Sequence, residues 1–201
     1  MWHRRGWVLT QNRNTGPGST AGEPSLLKFW ALPLWATLLL TGCLGAPQGV
    51  EPVENFQVDR YLGEWYEIAR LDHSFERGLQ QVTAEYSIRE DGGIRVINRG
   101  AEQGGDLKQA EGRAYFVENP GIGHLKVSFF GPFFGAYIIF ELDAEDYQYA
   151  FVAGNSTDYL WLLARTPAVS DDLIKRFVQR SRALGFDTDQ LIWVQHPDQS
   201  L

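Results

Sequence analysis

Residues 81–101 read QVTAEYSIREDGGIRVINRGA and contain two short runs on either side of a glycine pair. In the first run, apolar and polar residues alternate, and this period of two is typical of a β-strand with one buried face. The apolar positions of that run are Val82, Ala84, Tyr86 and Ile88. Asp91-Gly92-Gly93 is a hairpin signal, because glycine adopts positive φ angles without steric cost. The stretch therefore predicts two antiparallel strands joined by a tight turn.

Short runs of this kind, separated by glycine, proline and asparagine, continue on both sides of the hairpin. The predicted strands are Glu64–Leu71, Gln81–Glu90, Ile94–Ala101, Gln109–Glu118, His124–Phe130, Phe134–Leu142, Tyr147–Gly154 and Asp158–Arg165. Eight evenly spaced antiparallel strands favour an all-β fold, an eight-stranded up-and-down barrel, because a closed barrel has no unpaired edge. A barrel of this size can hold one small ligand.

After Thr166-Pro167 a helical stripe replaces the alternation. Ser170 is a favourable N-cap, Asp171-Asp172 suits the positive end of a helix, and Gly185 can end it. The stripe consists of Leu173, Ile174, Phe177, Val178 and Leu184. We expect this C-terminal α-helix to pack on the barrel wall, followed by a short final strand over Leu191–Gln195.

Strands one and eight are neighbours in a closed barrel, and strand one begins at the end where strand eight finishes. Trp65 follows Gly63 at the start of strand one, and Arg165 closes strand eight. We therefore expect the indole and the guanidinium to stack, a contact that contributes about 0.5–2 kcal/mol. Such a pair can close the floor of the barrel.

The segments around these residues resemble the lipocalin family. Asp59–Trp65 (DRYLGEW) resembles its G-x-W signature, and Asp158–Arg165 (DYLWLLAR) resembles the later motif whose arginine covers that tryptophan. From Asn55 to His196, the segments similar to those of bacterial lipocalins are YLGEWYEIAR, SFERGLQ, GRAYF, LKVSFFGPFFG, DYLWLLARTP and LIWVQ. The resemblance implies a lipocalin barrel that binds fatty acids or lysophospholipids, without a cofactor and without enzyme activity.

The end opposite Trp65 is the predicted mouth, formed by the loops after strands one, three, five and seven. These loops are Asp72–Gln80, Glu102–Lys108, Gly131–Phe133 and Asn155–Thr157. Two interpretations are open for Phe75, Phe133 and Phe134. They form an apolar entrance that receives a lipid or a homodimer partner, or they pack beneath their own loops. The resemblance implies a pocket that includes Phe134 and Trp161. Trp161 shares its strand face with Arg165, and barrel core is the alternative for its side chain.

Arg70, Arg77 and Lys126 are candidate contacts for a polar headgroup, although we expect each to be solvated at the surface. Glu67 and Glu141 are expected to face water or to pair with a neighbour.

The sequence predicts no catalytic and no metal-binding set. His73, His124 and His196 lie on separate elements, which argues against a metal site, and His73 and His124 are expected to be solvated loop residues rather than haem ligands. The body has no nucleophile elbow and no phosphate-binding loop. The net charge of −7 and the lack of a basic stripe argue against nucleic acid as a partner. Two functions remain as alternatives to lipid binding: an enzyme acting on envelope lipids, and a structural or partner-binding lipoprotein with a filled barrel.

Residues 1–54 carry the signals of a lipoprotein. Lys28, the apolar run 29–40 and two small residues follow the order of a signal peptide over residues 1–42, and the run is short for a transmembrane helix. Residues 40–43 (LTGC) resemble a bacterial lipobox, in which Cys43 is acylated and becomes the first mature residue. The alternative is a buried cysteine behind an uncleaved anchor.

Cys43 is the single cysteine of the chain, so no internal disulfide is possible. Leu44 follows it where an aspartate would favour retention at the inner membrane, so we expect an outer-membrane, lipid-anchored, periplasm-facing protein. Residues 43–54 are predicted to be a lipidated N-terminus and tether, and residues 55–201 the lipocalin domain. Residues 1–27 do not fit a signal peptide, which suggests a mis-called start and translation beginning near residue 26 or 27.

Overall fold

The computed structural model describes residues 44–102 and 104–197. The strands are β1 Gly63–Arg70, β2 Gln80–Ile88, β3 Ile94–Ala101, β4 Leu107–Phe116, β5 His124–Ser128, β6 Gly135–Leu142, β7 Tyr149–Ala153, β8 Leu160–Ala164 and β9 Ile192–Trp193. Helix α1 (Val58–Tyr61) precedes β1, and helix α2 (Asp171–Ala183) follows β8.

Strands β1 to β8 form a closed antiparallel barrel, which confirms the predicted fold. Each strand pairs with the next, and β1 closes the barrel by pairing with both β2 and β8. In the predicted hairpin of residues 81–101, Ile88 pairs with Ile94. Gly92 in its turn has a φ of 79°, a conformation that favours glycine.

Some element ends differ from the prediction. Tyr147 has a φ of 55° in the turn before β7, so that strand starts at Tyr149. The final strand β9 has two residues and pairs with Ala69 and Arg70 of β1. Helix α1 was not predicted, because four residues give too little periodicity to detect.

Helix α2 packs on the outer wall of the barrel, as predicted. Ser170 caps it by accepting a hydrogen bond from the Leu173 amide at 3.3 Å. Phe177 is fully buried against Phe151, with ring centroids 4.9 Å apart. We call the apolar layer between α2 and the sheet the wall core; its members include Ile68, Ala69, Ile138, Phe140, Phe151, Leu160, Leu162 and Phe177.

The segment preceding α1 lies against the barrel over much of its length. His124 Nε2 lies 2.9 Å from the Leu44 carbonyl oxygen, and Val50 is buried in the wall core. The Val53 amide donates to Ile139, and the Gly123 amide donates to Val53, both at 2.8 Å. The predicted tether therefore has fixed contacts from its second residue onward. Within the described residues, no helix is both long and apolar enough to cross a membrane.

Candidate functional site: the barrel interior

The barrel encloses a cavity of about 520 Å³ that opens among the predicted mouth loops. Its wall includes Phe75 after β1, Gly100 at the end of β3, Phe133 after β5 and Tyr159 before β8. Alternation along each strand sends small apolar side chains inward, for example Ala84 and Val96, and these leave the interior open.

The floor is closed by Trp65 and Arg165. Trp65 is fully buried, and the Arg165 guanidinium carbon lies 4.0 Å from its ring centroid. Arg165 also donates to the carbonyl oxygens of Glu64 and Arg60 at 2.8 Å and of Leu62 at 2.9 Å. The guanidinium thus ties the end of β8 to α1 and to the start of β1.

Gly63 allows this floor to form. Its φ is 92°, and a Cβ at this position would lie 3.5 Å from the Arg165 guanidinium. The positive φ accounts for glycine here, so the G-x-W spacing has a structural explanation in this chain.

Three tyrosines form a polar cluster at the closed end of the interior. The Tyr137 hydroxyl lies 2.7 Å from that of Tyr61 and 2.9 Å from that of Tyr86. Burial raises the pKa of all three hydroxyls above the ordinary value, so each keeps its proton at neutral pH. Three hydroxyls carry three protons but share only two mutual contacts, which leaves one O–H free to donate to an acceptor.

A β-bulge in β1 brings two charged side chains into the interior. The register of β1 against β8 shifts between Glu67 and Ala69, and the extra residue changes the alternation. Glu67 and Arg70 therefore share the inward face, where Arg70 Nη1 donates to Glu67 Oε1 at 2.6 Å. Arg70 also donates to the carbonyl oxygens of Glu76 and Leu79 at 3.0 Å, which holds the β1–β2 loop over the interior.

Glu76 reaches from this loop into the cavity wall. Its carboxylate lies 3.1 Å from His73 Nε2 and accepts from Trp161 Nε1 at 3.2 Å and from Asn98 Nδ2 at 3.3 Å. Glu67, Arg70, His73 and Glu76 thus form a buried charged cluster beside Trp161.

The two carboxyl groups of this cluster have different pKa values. Burial and the neighbouring charge of Glu76 raise the pKa of Glu67 well above its ordinary value, although Arg70 opposes the rise. Burial alone would raise the pKa of Glu76 too, but hydrogen bonding and charge from His73, with the Trp161 and Glu67 donors, lower it. The pKa of Glu67 is therefore raised and that of Glu76 is lowered, and the two carboxyl groups titrate as a coupled pair.

The predicted mouth residues occupy different positions. Phe75 is 52% exposed and stacks on His73 with centroids 4.0 Å apart, so it packs on its own loop and also borders the cavity. Phe133 is 79% exposed at the rim. Phe134 borders the cavity, but its ring lies among Arg113, Tyr115 and Lys126. Trp161 lies in the inner wall.

Several sequence expectations were wrong. Arg70 is fully buried rather than solvated, because the bulge turns it inward. His73 is also buried rather than solvated, and it contacts Glu76. His196, whose exposure was not predicted, is buried with its Nε2 2.8 Å from the Glu67 carbonyl oxygen. Arg77 is exposed as expected and pairs with Asp72.

Both strand glutamates pair with a neighbour, which was one of the two outcomes expected for them. Glu67 pairs with Arg70, and Glu141 lies 2.6 Å from Arg176 on α2. Neither the tyrosine cluster nor the bulge has a signal in the sequence, since both depend on the strand register. In residues 44–102 and 104–197, no group of three or more His, Cys, Asp or Glu side chains is placed to hold a metal ion. Cys43 lies outside the described residues.

The barrel, its stacked floor and its open cavity define a class of single-ligand binding barrel, and comparison with known proteins identifies the family. The Lipocalin-like domain family matches residues 56–196. The chain belongs to the lipocalin family.

Two bacterial relatives are more specific. The chain is 60% identical over 160 residues to the outer membrane lipoprotein Blc of Vibrio cholerae serotype O1, covering 79% of this chain and 94% of that protein. It is 50% identical over 165 residues to the protein of the same name from Escherichia coli K12, covering 81% and 93%. These relatives support an outer-membrane, lipid-anchored location for this chain, with membrane association and a hydrophobic ligand.

The fold is shared more widely. Insecticyanin from the tobacco hornworm Manduca sexta matches with a TM-score of 0.61 at 18% identity, covering 77% of this chain and 88% of that structure. The lipocalin family and the Blc relatives are binding proteins and not typical enzymes.

Proposed function

We propose that this chain is a lipid-binding lipoprotein that stores or transports fatty acids or lysophospholipids on the periplasmic side of the outer membrane. The observation that carries the proposal is the open cavity of about 520 Å³ above a closed floor. A cavity of this size with mostly apolar walls suits the acyl chain of a single-tailed lipid.

The polar groups of the interior give the ligand an orientation. The acyl chain packs between apolar walls such as Ala84, Val96 and Leu125. The headgroup lies towards the mouth, where Glu76, Asn98 and Trp161 border the cavity. Among the described residues, the cations beside the cavity are already paired: Arg70 with Glu67 and two carbonyl oxygens, Arg99 with Glu85, and Lys108 with Glu102.

The proposal includes the anchor and the boundaries predicted from the sequence. Residues 1–42 act as the signal peptide, Cys43 is the acylated first residue, and the lipocalin domain begins at residue 55. Several acyl chains hold a protein at a membrane, since each buried CH₂ contributes about 0.8 kcal/mol.

The two alternative functions are less well supported. A filled barrel does not fit the open cavity. An enzyme would need a free acid or base, whereas Glu67 and Glu76 are engaged by Arg70, His73 and Trp161. Homodimerisation through Phe133 and Phe134 stays a prediction, and the mass of the protein with and without lipid checks it.

The test is a titration of the delipidated lipoprotein with a lysophospholipid and with a fatty acid of equal chain length, followed by tryptophan fluorescence. The matched variants are Ala114→Phe, which fills the cavity, and Ala168→Phe, which adds the same ring at an exposed site away from it. We expect saturable binding by the wild type and Ala168→Phe and its loss in Ala114→Phe.

Absence of binding in folded wild-type protein would reject the carrier proposal. Turnover of the added lipid, followed by mass spectrometry in the same samples, would instead support the enzyme alternative.

A further inference from the structure

The loop between β5 and β6, with the outer barrel face beside it, carries an unusual surface. Phe130 and Phe133 are 76% and 79% exposed within this one loop. The Phe134 ring centroid lies 5.3 Å from Lys126 Nζ and 5.7 Å from the Arg113 guanidinium carbon. We call these five residues the loop patch.

The two cations of the loop patch lack anionic partners. Among the described arginines and lysines, the others are bonded to carboxylates or backbone carbonyls, as in Arg95–Glu111 and Arg99–Glu85. Arg113 and Lys126, in contrast, both lie over the aromatic ring of Phe134, and neither side chain forms an ion pair or a hydrogen bond with another described residue. On a chain of net charge −7, they make the patch locally positive.

A buried hydroxyl adjoins the same surface. Ser128 is 5% exposed, and its Oγ has no hydrogen-bond partner among the described residues. It borders a cavity of about 250 Å³ together with Arg113, Arg89 and Glu111, whose carboxylate is paired with Arg95. A hydroxyl without a partner beside a guanidinium is a suitable site for a phosphate oxygen, which accepts from both.

The N-terminal segment approaches the barrel on this same face. Leu125 points into the inner core, so its neighbours His124 and Lys126 point outward. His124 contacts the Leu44 carbonyl oxygen, and Leu44 directly follows Cys43. The stretch from His124 to Phe130 spans about 20 Å along the strand, so the Leu44 contact and the loop patch lie at the two ends of β5 and can reach one bilayer only together, with this strand lying along its surface.

We propose that the loop patch is a docking surface for a bilayer that contains anionic phospholipids. Phe130 and Phe133 enter the interface, where aromatic side chains are favoured, while Arg113, Lys126 and Ser128 meet lipid phosphates. The mouth beside the patch then faces the bilayer from which a ligand is taken. A second copy of the chain fits less well, because a symmetric contact would bring like charges together. The anchoring part of the argument rests on the proposed acylation of Cys43.

The test uses the mature lipoprotein reconstituted in vesicles of phosphatidylcholine with or without phosphatidylglycerol. Acylation occupies the single native thiol, so Phe133→Cys introduces one site for an environment-sensitive fluorophore. The matched control is Ala168→Cys, an exposed site before α2 that borders neither the cavity nor the patch. We expect a blue-shifted emission, quenched by brominated lipid, from position 133 and not from position 168.

A second comparison tests the charges. Combining Arg113→Gln and Lys126→Gln is expected to weaken docking on anionic vesicles about twenty-five-fold, because each cation near an anionic surface contributes roughly five-fold. Docking on neutral vesicles should change little. Inorganic phosphate at matched ionic strength should weaken wild-type docking if the Ser128 pocket binds phosphate groups.

Failures of the two proposals can be told apart. If the protein does not float with vesicles, the proposed acyl anchor is wrong. Docking can still be tested in that case: the free thiol of Cys43 is blocked, and the protein labelled at position 133 is titrated with vesicles. An aqueous emission from position 133 in anionic vesicles would overturn the docking proposal, whatever the ligand titration shows. A blue shift that appears without vesicles, with a doubled mass in light scattering, would assign the patch to a second copy instead.

Discussion

The wall core and the barrel interior differ in what fills them. Between α2 and the sheet, apolar side chains such as Phe151, Phe177 and Ile138 are fully buried in contact with one another. Inside the barrel, the aromatic and aliphatic residues share space with the charged cluster, three tyrosines and an open cavity. Close packing stabilises a fold, whereas a cavity costs stability.

The comparison indicates how this small barrel can hold a ligand. The wall core places a second packed layer outside the strands, so the interior need not be filled for the protein to remain folded. The predictions below test whether these two layers can be perturbed separately.

The largest effect is expected in the wall core. Phe177→Ala removes a fully buried ring that packs on Phe151 and should lower the free energy of unfolding by about 3–5 kcal/mol. Urea unfolding measures the loss. The ligand affinity of the folded variant should stay within a few-fold of wild type, and a loss of binding in folded protein would contradict the separation of the two layers.

The next effect concerns the charged cluster. Arg70→Met leaves Glu67 and two carbonyl oxygens without their donor in a buried site and should cost about 3 kcal/mol. Arg77→Met is the control, because Arg77 is exposed and its pair with Asp72 should contribute less than about 1 kcal/mol. Equal unfolding midpoints for the two variants would show that Arg70 does not hold the β1–β2 loop.

The floor should be less sensitive than the cluster. Arg165→Lys keeps a cation over Trp65 but loses the planar guanidinium, whose N–H groups donate to several carbonyl oxygens at once. We expect a loss of about 2 kcal/mol, measured by urea unfolding, and a changed Trp65 emission. A variant as stable as wild type would show that stacking alone closes the floor.

These positions also show what can be predicted from a sequence. The alternation of residues 81–101, the cap at Ser170 and the meeting of Trp65 with Arg165 follow from local periodicity and from strand direction in a closed barrel. Arg70 was misplaced because one bulge in β1 reverses which face a side chain occupies, and the bulge has no local signal in the sequence. The tyrosine cluster depends on residues far apart in the chain, such as Tyr61 and Tyr137, whose contact requires the barrel register.

The smallest effect, and the one that separates the two buried carboxyls, is a dependence on pH. The folded-state pKa of Glu67 is raised above its ordinary value of 4.5, so its contribution to stability is full below that pH. It is lost as the pH rises through the folded-state pKa. The pKa of Glu76 is lowered, so its contribution is present above pH 4.5 and lost as the pH falls.

Glu67→Gln should therefore leave the free energy of unfolding within about 1 kcal/mol of wild type below pH 4.5, where the carboxyl is protonated in both the folded and the unfolded state and the amide has the same shape. It should also remove the decline in stability that the wild type shows as the pH rises above 4.5. Glu76→Gln should instead remove the loss of stability that occurs as the pH falls below 4.5, since His73, Trp161 and Asn98 contact the ionised carboxylate. Urea unfolding of the wild type and the two variants between pH 3 and 9 measures the decline in stability on each side of pH 4.5. If Glu67→Gln still lost stability as the pH rose above 4.5, the raised pKa would belong to Glu76, and the assignment within the pair would be reversed.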